Sequence, residues 1–319
     1  MILLFGLPGD GPTALVRGAL ARMGHAPAFL DQRAALGVSA EMSTGPDLAA
    51  AVTTAEGVVD LGDVTAAYLR AYDPRDLPAV RHAGSGSETY HHALLLEDLL
   101  ESWAELTGAL VVNRSSAMEP NSSKPFQAAQ LRRLGFNVPD TLITTDPAAV
   151  VEFRERHRRI IYKSISSIRS IVSELTDGHM SRLDDLCWCP TQFQELVSGT
   201  DYRVHVVGDE VFAAEIRSEA VDYRYAGRQG CEVTIRAASI ADELARRCAV
   251  ASREMGLAVS GMDLRLTDDG KWYCFEVNPS PAFNFYQSAT GQRIDDAIAR
   301  LLIDGSAAAG QTALARSAH

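Results

Sequence analysis

The segment GMDLRLTDDGKWYCFEVNPSP, residues 261–281, constrains the fold more than any other part of the chain. Two β-rich runs flank the turn signal Asp268–Gly270, so the segment reads as an antiparallel strand pair. Side chains alternate along a strand, which places Glu276 and Asn278 on one face. Asp263, on the neighbouring strand, can sit beside them. Three hard oxygen side chains on one face suit a magnesium ion held together with nucleotide phosphates. A hairpin whose polar residues simply face water is the competing reading. The apolar surroundings in WYCFEVNP weigh against it, because a carboxylate in a buried stretch needs a partner.

Three further features bear on the same chemistry. Lys124 opens a helical stretch, and Lys163 lies inside the apolar strand IIYKSI, where an ammonium needs an anion or a wet pocket. Phosphate oxygens would serve, although a lysine that snorkels to the surface fits equally well. In QELV, Gln194, Glu195, Leu196 and Val197 end a strand just before Ser198-Gly199 and can present backbone donors and acceptors to an adenine edge; an ordinary edge strand looks the same. Arg203, Arg217 and Arg224 follow on a hairpin and loop. In a chain of net charge −11 they are natural anion clamps, or else surface ion-pair partners.

The length of 319 residues fits two or three domains, and 46% hydrophobic residues can build a sizeable core. The acidic balance argues against a nucleic-acid surface and against an anionic membrane surface. No apolar run is long enough to span a bilayer, and MILLFGLPGDGP lacks a basic leader region, so a cytoplasmic protein is expected. Five cysteines without paired CxxC spacing read as ordinary thiols. GLPGDGPT at 6–13 looks like a damaged phosphate loop with no lysine before Thr13, though its turn could hold an anionic substrate at a helix N-terminus.

Along the chain, ILLFGL, a helix over about 12–24 and APAFLD form a β-α-β start, which favours a small parallel sheet. A long amphipathic helix is expected over about 88–107, with Leu95, Leu96, Leu99, Leu100, Trp103 and Leu106 on one stripe. RSSAMEPNSS at 114–123 reads as a linker. Helices follow at about 124–135, 147–157, 238–256 and 292–303, with strands at TLITT, RIIYKSI, TQFQELV, DYRVHVV, EVFAAEI and GKWYCFEVN.

The ordered set Lys124, Lys163, QELV, the Arg203 hairpin and Asp263 with Glu276-x-Asn278 resembles the ATP-grasp superfamily over about residues 112–306. SSKPFQAAQLRRLGFNVPDTLITTDP and DYRVHVVGDEVFAAEIRS are similar to the branch containing ribosomal-protein glutamate ligases and graspetide peptide maturases. The resemblance implies an α+β / α/β class: two α+β subdomains sandwiching ATP, preceded by a small N-terminal α/β domain. The implied bounds are 1–112, 113–197 and 198–306, with 307–319 a disordered tail. It implies that Lys124 and Lys163 contact phosphates and that Gln194 to Val197 form the nucleotide hinge. Asp263, Glu276 and Asn278 would hold Mg²⁺, which Mn²⁺ could replace. Arg203, with Arg217 or Arg224, would steady the reacting phosphate. One departure is the loop SISSIRSIVSE, which lacks the family's glycines and offers Ser166, Ser167 and Arg169 instead.

The activity implied is an ADP-forming carboxylate–amine ligase that works through an acyl phosphate on an amino acid or peptide. The compact 140–190 region tilts this towards a small free-standing substrate. Forming lactam or ester cross-links in a precursor peptide is the alternative enzyme reading. A non-catalytic nucleotide-binding scaffold is the alternative of another class. A homodimer is one assembly the resemblance implies.

Overall fold

The computed structural model describes residues 1–45, 47–165, 172–218 and 232–317. The chain opens with β1 (Ile2–Gly6), α1 (Gly11–Arg22) and β2 (Ala28–Asp31). Then come β3 (Ser39–Thr44), β4 (Leu48–Thr54), β5 (Gly57–Asp60), β6 (Ala66–Arg70), α2 (Pro78–Ala83), α3 (Glu88–Leu106) and β7 (Leu110–Val112). β1 is an uninterrupted apolar run buried at every position, as befits the inside of a parallel sheet. It pairs in parallel with β2 and β6 in the order β2-β1-β6-β7, the parallel sheet expected from the sequence.

The two faces of that sheet bury different elements. Ile2, Leu4, Ala66 and Tyr68 meet α1, and Leu3, Phe5, Ala67 and Val111 meet Leu96, Leu100 and Trp103 of α3. The buried stripe of α3 is narrower than expected: Leu95 and Leu106 are exposed, one step off the line through Ala93, Leu96, Leu100 and Trp103. β3, β4 and β5 form a separate antiparallel sheet.

The second unit holds α4 (Ser115–Met118), α5 (Lys124–Arg133), β8 (Thr141–Thr144), α6 (Pro147–His157), β9 (Ile160–Ser164), β10 (Ser173–Glu174), α7 (Asp177–Met180) and β11 (Thr191–Glu195). Its antiparallel sheet runs β10-β9-β11-β8 over a core of Val150, Phe153, Ile160 and Phe193.

The third unit holds β12 (Thr200–Val207), β13 (Glu210–Ser218), β14 (Val233–Ala238), α8 (Asp242–Glu254), β15 (Val259–Leu266), β16 (Trp272–Asn278), α9 (Asn284–Thr290) and α10 (Ile294–Ser317). The strands form one antiparallel sheet, β14-β13-β12-β15-β16. Its inner face carries Val204, Val206, Met262, Leu264 and Val277, packed against Leu244, Cys248 and Ala251 of α8 and Leu131 of α5. α10 reaches back, burying Ile294, Ala297, Ile298 and Leu302 against the first sheet and α1. It continues to Ser317, through residues that composition marks as a tail. Among the described residues no helix is long and apolar enough to cross a membrane.

Candidate active site

The outer face of the third sheet carries a small grid of side chains. Arg203, Asp263 and Glu276 face one another directly across β12, β15 and β16. The adjoining row is His205, Gly261 and Asn278. The same-face placement expected for Asp263, Glu276 and Asn278 therefore holds. A register shift between Asp263 and Leu264 adds Phe275 to β16 as a bulge. Arg203 Nη1 donates to Asp263 Oδ1 at 2.6 Å, with the arginine side chain 8% exposed and the aspartate 22%. A Cβ on Gly261 would overlap the Arg203 guanidinium and lie 2.8 Å from Pro281, so the glycine is the seat of the arginine. Tyr286 of α9 closes that seat, its ring 5.7 Å from Arg203 Cζ and edge-on to His205. Burial, and then the Arg203 charge, press the His205 pKa well below its ordinary value, so its imidazole is neutral.

The grid is held from outside by residues that the sequence reading passed over. Gln127 Nε2 donates to Val277 O at 2.8 Å, and its Oε1 accepts from Val277 N at 2.9 Å. Asn113 Nδ2 donates to Val259 O (2.6 Å) and Pro279 O (2.5 Å), while its Oδ1 accepts from Ala258 N. Arg70 Nη1 donates to Ser280 Oγ at 2.6 Å, and its Nε donates to Asp10 Oδ2 at 2.8 Å. Each is a polar side chain that is buried or nearly so; that could mark it in a sequence, but its partner lies 60 to 210 residues away.

Asp10 caps α1 by accepting from Thr13 N and Oγ1. Burial alone would raise its pKa, but the Arg70 charge and the Thr13 hydrogen bonds outweigh this and hold the carboxyl below its usual range. That carboxylate occupies the helix N-terminus, so GLPGDGPT is not an open anion site there.

On the second sheet, Lys163 lies opposite Gln192 on the face that also bears Gln194. Lys163 Nζ donates to Gln194 Oε1 at 3.3 Å, and Gln194 Nε2 donates to Thr141 Oγ1 at 3.2 Å. Lys124 is the half-buried first residue of α5. Glu195 is one residue beyond Gln194 and so turns to the opposite face. Its Oε1 accepts from Asp140 N at 3.2 Å, and its Oε2 lies 3.3 Å from His157 Nδ1. The Glu195 side chain therefore points away from Lys163 and Gln194. Asp140, His157 and Glu195 cluster within 4.8 Å, yet each imidazole nitrogen faces a different carboxylate, the geometry of a strap from α6 to the end of β11. Leu196 N donates to Arg159 O, and Val197 O accepts from Arg265 Nη1 at 2.7 Å.

Arg217, expected beside Arg203, lies apart from it. It shares the face of Glu215 and Tyr202, opposite to that of Arg203, and its Nε donates to Glu215 Oε1 at 2.5 Å in an exposed position. Ser166, Ser167, Arg169 and Arg224 lie outside the described residues.

Residues 127–302 match the model of the RimK-like ATP-grasp domain, more than half of the chain. The chain belongs to the RimK-like ATP-grasp family. This RimK-like protein is 27% identical over 203 residues to a probable alpha-L-glutamate ligase of Marinobacter nauticus, a match that covers 60% of this chain and 66% of that relative, just under two thirds. Among solved structures it resembles the ATP-grasp ligase PsnB complexed with a phosphomimetic variant of its minimal precursor, Mg and ADP. There the TM-score is 0.78 and the identity 27%, with 96% of this chain and 98% of PsnB covered. An ATP-grasp ligase of Chryseobacterium gregarium, solved with ADP and leader and core peptides, gives a TM-score of 0.80 at 20% identity over 95% and 96% of the two chains, a likeness of fold alone. The fold class and family expected from the sequence are both borne out.

Proposed function

We propose that this RimK-like protein is an ADP-forming ligase that uses ATP and magnesium to activate a carboxylate and join it to an amine within a peptide. The row Arg203–Asp263–Glu276, flanked by Asn278, carries the reading. Its donor set is hard oxygen on one face beside a seated guanidinium, which fits a divalent cation together with phosphate oxygens. When bound, ATP supplies the phosphoryl group that turns the substrate carboxylate into an acyl phosphate, and magnesium neutralises the phosphate charge.

The chain's own residues position and neutralise. Asp263, Glu276 and Asn278 hold the cation. Arg203 orients the Asp263 carboxylate and presents the rest of its guanidinium to the reacting phosphate. Lys124 and Lys163 meet the other phosphates, and the Glu195–Val197 backbone meets the base. No side-chain nucleophile is needed, because alignment and charge supply the rate.

A peptide substrate, rather than the small free-standing one favoured by the compact 140–190 region, is supported by the near full-length match to PsnB, which was solved with a minimal precursor. Lactam or ester formation inside one such peptide is the finer form of this reading. The test incubates the protein with ATP, Mg²⁺ and peptides bearing both a carboxylate and an amine or hydroxyl side chain. Loss of one water mass per ADP formed supports ligation. ADP without peptide mass loss makes it a phosphotransferase, and nucleotide binding without ADP makes it a scaffold.

A further inference from the structure

Among the described residues β16 is the outer strand of its sheet, and no strand lies beside its outward peptide groups. Two of these groups flank Val277, in the peptide units that join Glu276 to Asn278. Gln127, one turn into α5, closes both with its carboxamide, at 2.8 Å to the carbonyl oxygen and 2.9 Å to the amide nitrogen. It is 3% exposed. Further along the same edge, Asn137 Nδ2 donates to Trp272 O at 3.0 Å, and Asn137 O accepts from Cys274 N at 2.8 Å. Gln127 of α5, through its side chain, and Asn137 beyond the helix, through its side chain and its backbone carbonyl, thus stand in for a neighbouring strand, one on each side of the bulge at Phe275.

The bulge makes this consequential. A bulge bends and twists its strand, so pairing with β15 fixes Glu276 and Asn278 less firmly than a regular ladder would. A carboxamide that grips both peptide units between them fixes their separation and tilt. α5 also packs on this sheet through Leu131, which enters the apolar core, and through Ala128. A methionine would fill a similar volume, so the carboxamide is used for its hydrogen bonds. Gln127 is also three residues from Lys124 in the same helix, which ties the candidate phosphate lysine to the candidate cation ligands.

We propose that Gln127 is a positioning residue for the cation: it holds the backbone between Glu276 and Asn278 so that both side chains meet one ion, an inference that rests on the magnesium role proposed above. Without it, Val277 keeps two buried peptide groups unpaired, and the strand shifts to satisfy them.

The test measures Mn²⁺ binding to the full chain in the presence of ADP, through loss of the free-ion EPR signal, for wild type, Gln127→Met, Gln127→Glu and Glu276→Gln. Circular dichroism checks that each variant is folded, and ADP affinity is measured separately without metal. Gln127→Met weakens Mn²⁺ binding about tenfold or more, while metal-free ADP affinity is unchanged. Gln127→Glu keeps its size and an acceptor for the Val277 amide but loses the donor to the Val277 carbonyl, so it weakens binding as well, and it decides the question should the methionine variant not fold. Folded Gln127 variants that bind Mn²⁺ like wild type, while Glu276→Gln loses it, overturn the positioning role alone. Wild-type Mn²⁺ binding by Glu276→Gln overturns the magnesium reading beneath it.

Discussion

Arg203 and Asp263 face each other across β12 and β15, joined by a 2.6 Å hydrogen bond, and the guanidinium fills the space over Gly261 where any other residue would carry a side chain. Everything proposed for the site turns on that seat.

Gly261→Ala puts a methyl group against the guanidinium and Pro281. Overpacking of this kind costs about 1–3 kcal/mol. Displacing a positioning group by about an ångström costs roughly 10²-fold in rate. Steady-state ADP formation therefore falls by about that factor while the protein stays folded. A rate within about twofold of wild type would show that the arginine has room to move.

Arg217→Ala leaves turnover within about twofold of wild type, because Arg217 sits on the opposite face of the sheet with Glu215. Kinetics with ATP and peptide both varied check this. A collapse in rate would place Arg217 in the site after all.

Arg70→Ala removes the bridge from the first sheet to Ser280 and leaves the Asp10 carboxylate buried without its cation. Breaking a buried pair from one side costs on the order of 3 kcal/mol. Chemical denaturation measures it, and Arg70→Lys recovers part of the loss.

Glu97 on α3 has its carboxyl pushed up to about 7, first by burial and then by Glu101, Asp73 and Asp98. One of its oxygens is buried without a hydrogen-bond partner. A raised carboxyl pKa means that the neutral form belongs to the folded state. Its contribution is complete below about pH 4.5 and is lost as pH rises through about 7. Glu97→Gln should match wild type in thermal midpoint near pH 5 and exceed it by a few degrees near pH 8. Equal midpoints at both pH values would contradict this.

The sequence carried the β15–β16 hairpin and its oxygen face because a turn and a period of two are local signals. Lys163 stood out for the same reason, as a charge inside an apolar strand. Arg217 was displaced by one step of that alternation: its type was readable, but which face of the sheet it takes depends on the pairing of β13 with β12. The sheet of β3, β4 and β5 was invisible over most of its length, since Ser39–Thr54 is rich in alanine, serine and threonine and gives weak alternation. Gln127 lies on a helix with many polar residues, and nothing nearby in the chain announces a strand 150 residues away.

The most direct measurement is ADP release from ATP and Mg²⁺ by the wild-type protein and by Glu276→Ala, with and without a peptide that carries both reacting groups. The account predicts ADP only when peptide and wild-type protein are together, and a fall to background in the variant. ADP release by Glu276→Ala at the wild-type rate, or by wild type regardless of peptide, would contradict it.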